Sequence, residues 1–277
     1  MKNIIIILII LLALSCSKEK ELNSDFFYNT QIFNDGGLCG PVKKSGAGTF
    51  SYKLDSLRVI YSCSKDYETK FTVTNDGLNE IYTELNFPEA KFNPWIVTYD
   101  NKQIIAIKTT PFDEDNMEIV SIDLNTRVMS TLCVLPYNVT YSFSEHPLSE
   151  NGILIFNSLR NNVMMYNLSS KELNKNMFSS YSDPVISKDG RSVLYVFDQK
   201  VYLYVFETKK KELIYSSKDD KGYNAFNAFF GKEGEVIIKG IKTPGYKPLE
   251  KAEYLIVKNK KVIDRGQIDI NKYYRYY

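Results

Sequence analysis

Residues 183–217 read DPVISKDGRSVLYVFDQKVYLYVFETKKKELIYSS. The stretch opens with a short apolar run, passes an Asp189-Gly190 turn, and continues as an alternating run from Ser192 to Phe197. After Asp198-Gln199-Lys200 a second run covers 201–206, and after Glu207-Thr208-Lys209 a last strand reaches Tyr215. Asp-Gly is a strong hairpin signal, because a type I′ turn takes two residues at positive φ. The stretch therefore reads as four short strands joined by tight turns.

The same grammar recurs along the chain. NPWIVTYDNKQIIAI starts at Asn93 and EIVSIDLNTRVMSTL at Glu118. HPLSENGILIF starts at His146, with NVMMYNLSSKELNKNMF behind it from Asn162. NAFFGKEGEVIIKG starts at Asn227 and AEYLIVKNKKVIDRG at Ala252, while the earliest copy is TFSYKLDSLRVIYS from Thr49 with KFTVTNDGLNEIYTEL from Lys70. In register, the third strands start near Phe71, Ile119, Val163, Val201 and Tyr254, spaced by 48, 44, 38 and 53 residues. Asp123, Asn167 and Val205 then coincide, as do Leu124, Leu168 and Phe206, and Thr126, Ser170 and Thr208. A four-stranded repeat of roughly 40–45 residues is the period of a propeller blade.

The unit at 183–217 resembles the TolB-type propeller repeat, through Pro184, Ile186, Ser187, Asp189 and Gly190. Pro94 and Pro147 hold corresponding places, and Glu233-Gly234 replaces Asp-Gly in the last unit. The expected fold is all-β: a β-propeller of four-stranded blades over 24–277, with five blades preferred and six the alternative. A sandwich or barrel of regular hairpins is the competing architecture. The apolar run 26–33 is expected either to pair with the last blade, closing the ring, or to begin a sixth blade.

Composition narrows the function classes. The 277 residues carry 35 Lys+Arg against 33 Asp+Glu, a net charge of +2, so no nucleic-acid-binding charge excess is present. A single histidine rules out His-rich zinc constellations. No phosphate-binding Gly-rich loop, CxxC pair or HExxH sequence occurs.

Lys2 precedes an unbroken apolar run from Ile4 to Leu14, followed by Ser15 and Cys16. That run is shorter than the roughly 20 residues a membrane span needs, and its basic start fits a secretory signal. Ala13-Leu14-Ser15-Cys16 resembles the lipobox of bacterial lipoproteins, with Ala13 where that family prefers Leu. The resemblance implies cleavage before Cys16, lipid on Cys16, and a tether at 16–23. With Ser17 rather than Asp after the cysteine, it implies outer-membrane localisation, on the periplasmic face or the cell surface. The membrane is thus reached through the N-terminal lipid.

Three further cysteines, Cys39, Cys63 and Cys133, permit one disulfide in an exported chain, with Cys39 and Cys63 the candidate pair. Reduced thiols packed in the core are the alternative. His146 next to Ser144 and Glu145 reads as a turn residue, and Asp113-Glu114-Asp115 as a solvated loop that fails the EF-hand template. Lys209-Lys210-Lys211 and Lys258, Lys260 and Lys261 fall in equivalent third-to-fourth-strand turns. They read as solubilising lysines, with contact to anionic headgroups the alternative. The tail residues Tyr273, Tyr274, Arg275, Tyr276 and Tyr277 combine hot-spot residue types and are a candidate partner contact.

The resulting expectation is a monomeric, non-enzymatic scaffold with no metal or cofactor. It would bind an envelope protein partner, in outer-membrane assembly or maintenance. The alternatives are a carbohydrate or small-ligand binding module and a glycoside-active hydrolase. The carboxylates available to a hydrolase, Asp55, Asp100, Asp183 and Asp189, fall at turn positions. Replacing Cys16 with Ala is expected to release the protein from membranes and remove the lipid mass, as read by fractionation and intact mass.

Overall fold

Five sheets follow one another along the chain, each in simple up-and-down order. The computed structural model describes residues 31–34, 48–54, 57–63, 69–75, 81–88, 90–98, 100, 102–110, 116–136, 141–143, 147–158, 162–175, 177–182, 184–218, 223–231, 234–242 and 251–269. Sheet I holds β1 (Gln31–Asn34), β2 (Gly48–Leu54), β3 (Leu57–Cys63), β4 (Thr69–Asn75) and β5 (Ile81–Phe87). Sheet II holds β6 (Lys91–Val97), β7 (Gln103–Thr109), β8 (Asn116–Asp123) and β9 (Met129–Pro136). Sheet III is smaller, with β10 (Tyr141–Ser142), β11 (Ile153–Ser158), β12 (Val163–Asn167) and β13 (Glu172–Asn174). Sheet IV comprises β14 (Val185–Ile186), β15 (Ser192–Phe197), β16 (Lys200–Val205) and β17 (Lys210–Ser216). Sheet V comprises β18 (Tyr223–Phe230), β19 (Val236–Lys242), β20 (Lys251–Lys258) and β21 (Lys261–Asp269). All described neighbours pair antiparallel.

The five repeat units read from the sequence coincide with these sheets. Phe71, Ile119, Val163, Val201 and Tyr254 lie on β4, β8, β12, β16 and β20, the third strand of each unit counted from β2, β6, β10, β14 and β18. The early apolar run behaves differently from expectation. Its described part, β1, neither joins the last sheet nor opens another; it pairs with β2, Gln31 opposite Lys53. The edge of β2 is left open by its own meander, and the chain segment nearest in sequence fills it.

In sheets II to V the last strand is less buried than the second. Ile104 to Ile107 on β7 and Leu154 to Ser158 on β11 are buried without a break, as are Val193 to Val196 on β15. Continuous apolar runs of this kind mark strands covered on both faces. Alternate residues of β15 show it directly. Val193 joins a core with Ile155, Val163 and Ile186 of sheet III and its own sheet, while Leu194 and Val196 join Tyr223, Ala225, Ile238 and Leu255 of sheet V. A larger core runs through sheets I, II and III, from Val59 and Phe71 through Ile105 and Ile119 to Leu154 and Tyr166. Fourth strands are largely exposed, as on β9 and β17.

Buried tyrosines tie the layers. The Phe92 N–H donates to the Tyr61 hydroxyl at 3.3 Å, joining sheets I and II. Tyr166 on β12 donates to the Leu132 carbonyl at 3.0 Å, joining sheets II and III. The Tyr223 hydroxyl lies 3.0 Å from the carbonyls of both Ile238 and Glu253 inside sheet V. Each such bond satisfies a polar atom that would otherwise be stranded in the core.

The turns repeat as well, with one correction. Between first and second strands a hydroxyl and a carboxylate or amide organise the loop. The Ser187 hydroxyl donates to Asp189 at 2.6 Å and accepts the Ser192 N–H at 3.0 Å. Thr98 with Asp100 and Gln103, and Ser149 with Asn151 and Ile153, repeat the arrangement. Only Gly190 of the Asp-Gly pair has positive φ, at 70°, so this is not the type I′ turn the dipeptide suggested. A Cβ at Gly190 would also strike the Asn151 side chain of sheet III. Two consecutive positive-φ residues occur instead at Asp198-Gln199 and at Asn259-Lys260, where the loop has only two residues and the strand twist demands that form. Between third and fourth strands, Asp123 accepts the N–H groups of Asn125 and Thr126, and Asn167 those of Ser169 and Ser170.

Hydrogen bonds hold the Asp123 carboxyl below its ordinary value of 3.8, chiefly through the Thr126 N–H, and Asp189 below it through the Ser187 hydroxyl. A depressed carboxyl contributes stability above its unfolded value and loses it as pH falls through the folded one. These two turns therefore loosen in acid.

Gly240 on β19 is buried, and a Cβ there would meet the Asn224 carbonyl and the Tyr223 ring. Gly240→Ala is expected to cost about 1–3 kcal/mol through overpacking. At roughly 2–4 °C per kcal/mol for a chain of this size, the melting midpoint should fall by several degrees in thermal circular dichroism.

Candidate functional site

The run SVLYVF–DQ–KVYLYV folds as a hairpin whose two-residue turn fixes which side chains share a face. Val193 pairs with Tyr204, Tyr195 with Tyr202, and Phe197 with Lys200. On β17, Lys211 stands opposite Tyr204, and Leu213 opposite Tyr202. One face of sheet IV thus collects three tyrosines, a phenylalanine, two lysines and a leucine. The segment leading into β14 adds Phe178 and Tyr181.

These rings lie nearly parallel. Phe178 stacks on Tyr195 with centroids 4.2 Å apart and planes 27° apart. Tyr195 and Tyr202 stand 5.5 Å apart at 26°. Tyr181 stacks on Phe197 at 4.7 Å and 20° while remaining 62% exposed. The result is a stepped terrace of flat faces, with Leu213 exposed at its margin.

Lys211 lies over this terrace. Its Nζ stands 3.8 Å from the Tyr202 centroid, 5.5 Å from that of Tyr195 and 5.9 Å from that of Phe197. Ammonium on a ring face is favoured by about 0.5–1 kcal/mol at an exposed site. Partial desolvation, then the charge of Lys200, lowers the Lys211 ammonium below its ordinary value of 10.5. Lys200 is paired with Asp198 at 3.2 Å, whereas Lys211 has no carboxylate partner among the described residues. Beneath it, the Tyr195 hydroxyl is buried and accepts or donates no hydrogen bond among the described residues. Burial, then the neighbouring Tyr202 and Tyr204 phenols, pushes Tyr195 up to about 12, so it stays a neutral donor.

A second feature lies between the outer strands of sheets IV and V. A groove of about 480 Å³ is lined by Leu213, Ile214, Lys260, Lys261, Val262 and Arg265, among others. Glu212 and Lys260 bridge its two sides at 2.9 Å. Val262 and the adjacent Ile263 are exposed, the latter by 54%.

Of the lysines singled out from sequence, Lys209 and Lys260 lie in the expected turns, between β16 and β17 and between β20 and β21, whereas Lys210 and Lys211 belong to β17, Lys258 to β20 and Lys261 to β21. Asp100 and Asp189 serve their own loops. Cys16, Cys39, Asp55, Asp113, Glu114, Asp115, His146, Asp183 and the tail from Tyr273 to Tyr277 lie outside the described residues, as does the side chain of Cys63. The Cys39–Cys63 pairing is therefore outside them too. Cys133 on β9 carries a free thiol. No group of three or more His, Cys, Asp or Glu that could hold a metal ion occurs among the described residues. The terrace was not singled out from sequence. Its signal was there, in aromatics at alternate positions on both arms of one hairpin.

No family model and no curated protein matches the chain. Solved structures do. An oligogalacturonate lyase in complex with manganese superposes with a TM-score of 0.53 at 10% identity, over 90% of this chain and 73% of that one. The N-terminal domain of Nup159 gives 0.45 at 10% identity, over 76% and 57%. One of two prolyl endopeptidases gives 0.39 at 11%, over 87% and 43%. The chain thus spans about half the length of these last two. The likeness to the lyase concerns the fold alone, and with the five successive meanders it supports a propeller-like all-β architecture.

Burial raises the Cys133 thiol from 9.0 to about 11. Only the thiolate is alkylated. At pH 8, iodoacetamide labelling of Cys133 in the folded protein is expected to run roughly 100-fold slower than in the denatured chain, as followed by peptide mass spectrometry.

Proposed function

We propose that the chain is a lipid-anchored envelope protein whose five sheets form a closed five-bladed propeller, and that it acts as a non-enzymatic scaffold for a protein partner. The groove between β17 and β21 supports this reading. Its lining combines apolar Leu213, Ile214 and Val262 with cationic Lys260, Lys261 and Arg265. Protein interfaces share that anatomy, with an apolar core and a polar rim. Ile263, exposed next to it, extends the apolar strip. The basic rim selects a partner with acidic edges, and charge complementarity of this kind sets orientation and association rate more than affinity.

The anchor follows from the sequence: a short apolar run ending at Cys16 delivers the domain to a membrane surface, where outer-membrane assembly or maintenance takes place. Ring closure requires sheet I to meet sheet V, and β1 on the open edge of β2 adds a strand to sheet I.

A photo-crosslinking residue placed at Ile263 in the envelope is expected to give a discrete adduct with one protein. Placed at Val134, which is 53% exposed on β9 of sheet II, it should give none. Val262→Asp should abolish the adduct at 263 without altering the melting midpoint. Equal adducts at both positions, or none at either, would remove the groove from the proposal.

A further inference from the structure

We infer that the aromatic terrace of sheet IV is a second binding site, which meets the partner groove only at Leu213, and that its ligand is an acidic saccharide. Four observations converge. The rings are ordered and reach solvent at Tyr181: near-parallel stacks place Phe178 on Tyr195, Tyr195 beside Tyr202, and Tyr181 on Phe197. Tyr181 uses one face for Phe197 and remains 62% exposed. Lys211 brings a cation with no carboxylate partner among the described residues, 3.8 Å above Tyr202. Tyr195, 1% exposed, holds a hydroxyl that finds no partner there.

The shape argues for a sugar over a peptide. Peptide side chains gain most of their binding energy in walled, desolvated pockets. The exposed ring of Tyr181, stacked on Phe197, instead offers a face that grips flat, rigid groups. The C–H face of a pyranose is flat, apolar and weakly positive, and it matches the negative face of an aromatic ring. Successive steps, from Tyr181 on Phe197 to Tyr202 beside Tyr195, suit successive sugar units.

The charge argues for an acid. An ammonium resting on a ring is weakly satisfied compared with one paired to a carboxylate in a charge-assisted hydrogen bond. A uronate carboxylate arriving beside Lys211 draws the ammonium off Tyr202. That movement uncovers the Tyr202 face for stacking and opens the path to the Tyr195 hydroxyl, a neutral donor suited to a sugar oxygen. Lys200 adds positive potential from the same face, although Asp198 already engages it. Binding here is non-covalent, so no bond is made or broken.

The test uses the full-length protein in detergent, titrated calorimetrically with a uronate hexasaccharide, its carboxyl-reduced neutral counterpart, and a glutamate-rich peptide of equal charge. The acidic saccharide is expected to bind about tenfold tighter than either comparison ligand, and more weakly as salt rises. Lys211→Met should remove that tenfold preference, Lys211→Arg should retain it, and Tyr181→Ala should weaken both saccharides together. Both side chains are exposed, so the variants should keep the wild-type melting midpoint. Val262→Asp, in the partner groove, should leave saccharide binding unchanged. Equal binding of acidic and neutral saccharides, tighter binding of the peptide, no binding at millimolar ligand, or indifference to Lys211→Met would each overturn the inference.

Discussion

The structure depends on second strands that are buried on both faces. β7, β11 and β15 bury runs of four or five consecutive residues, and no four-stranded sheet can cover both of its own faces. Sheets II, III and IV, which carry these strands, must therefore lie between two neighbours, and sheet IV shows it: Val193 faces the core shared with sheet III and Leu194 the core shared with sheet V. Leaving such a run against water on one side would forgo about 1.5–3 kcal/mol for each large side chain. This is the logic of repeat proteins, in which a unit is stable only between neighbours. It also explains the outward gradient. The last strands β9 and β17 meet water, and β17 there carries Lys210, Lys211, Glu212 and exposed Leu213.

Much of this order was legible in the sequence, because tight turns and buried strands leave strong local signals. The third-strand positions Phe71, Ile119, Val163, Val201 and Tyr254 fell in phase since each lies in a run that must be apolar whatever its neighbours. The coincidence of Asp123 with Asn167 had a chemical basis, as both side chains accept the N–H groups two and three residues further on. Val205 cannot do so, and its turn closes through the Lys209 N–H to the Phe206 carbonyl, at 3.3 Å. What misled was the Asp-Gly dipeptide. Its glycine answers two demands, positive φ and the approach of Asn151 from sheet III, and the second is a tertiary fact that a dipeptide cannot report. The placement of β1 was equally out of reach, since strand pairing between distant segments is set by which edge stands open.

The terrace was hidden for a related reason. Alternating Tyr195 and Phe197, then Tyr202 and Tyr204, read as strand formers, and aromatic residues are enriched in strands whether or not they bind anything. Their common face follows only once the Asp198-Gln199 loop is known to have two residues, because that length pairs 195 with 202 and 193 with 204. A loop one residue longer would have put the two tyrosine pairs on opposite faces. Phe178 and Tyr181 lie outside the hairpin altogether, so no local pattern could have assigned them to it.

Sheet III supplies the reason the terrace exists at all. Its last strand, β13, has three residues, whereas β17 in sheet IV has seven. Past β13 the chain returns to β12, where the Met177 N–H donates to the Val163 carbonyl and the Val163 N–H to the Phe178 carbonyl, beside the core in which Ile155 and Val163 meet Ile186 and Val193. That irregular continuation lays Phe178 on Tyr195 and Tyr181 on Phe197. Ser180 fixes that segment, its hydroxyl reaching the Ser182 and Val196 carbonyls at 2.6 and 3.1 Å, while the Tyr181 N–H donates to Val196 at 2.9 Å. Beyond these rings Lys211 spreads across the face of β17, its Nζ 3.8 Å from the Tyr202 centroid. An irregular fourth strand in one repeat is thus converted into a recognisable surface on the next, held in place by hydrogen bonds to the backbone of β12 and β15.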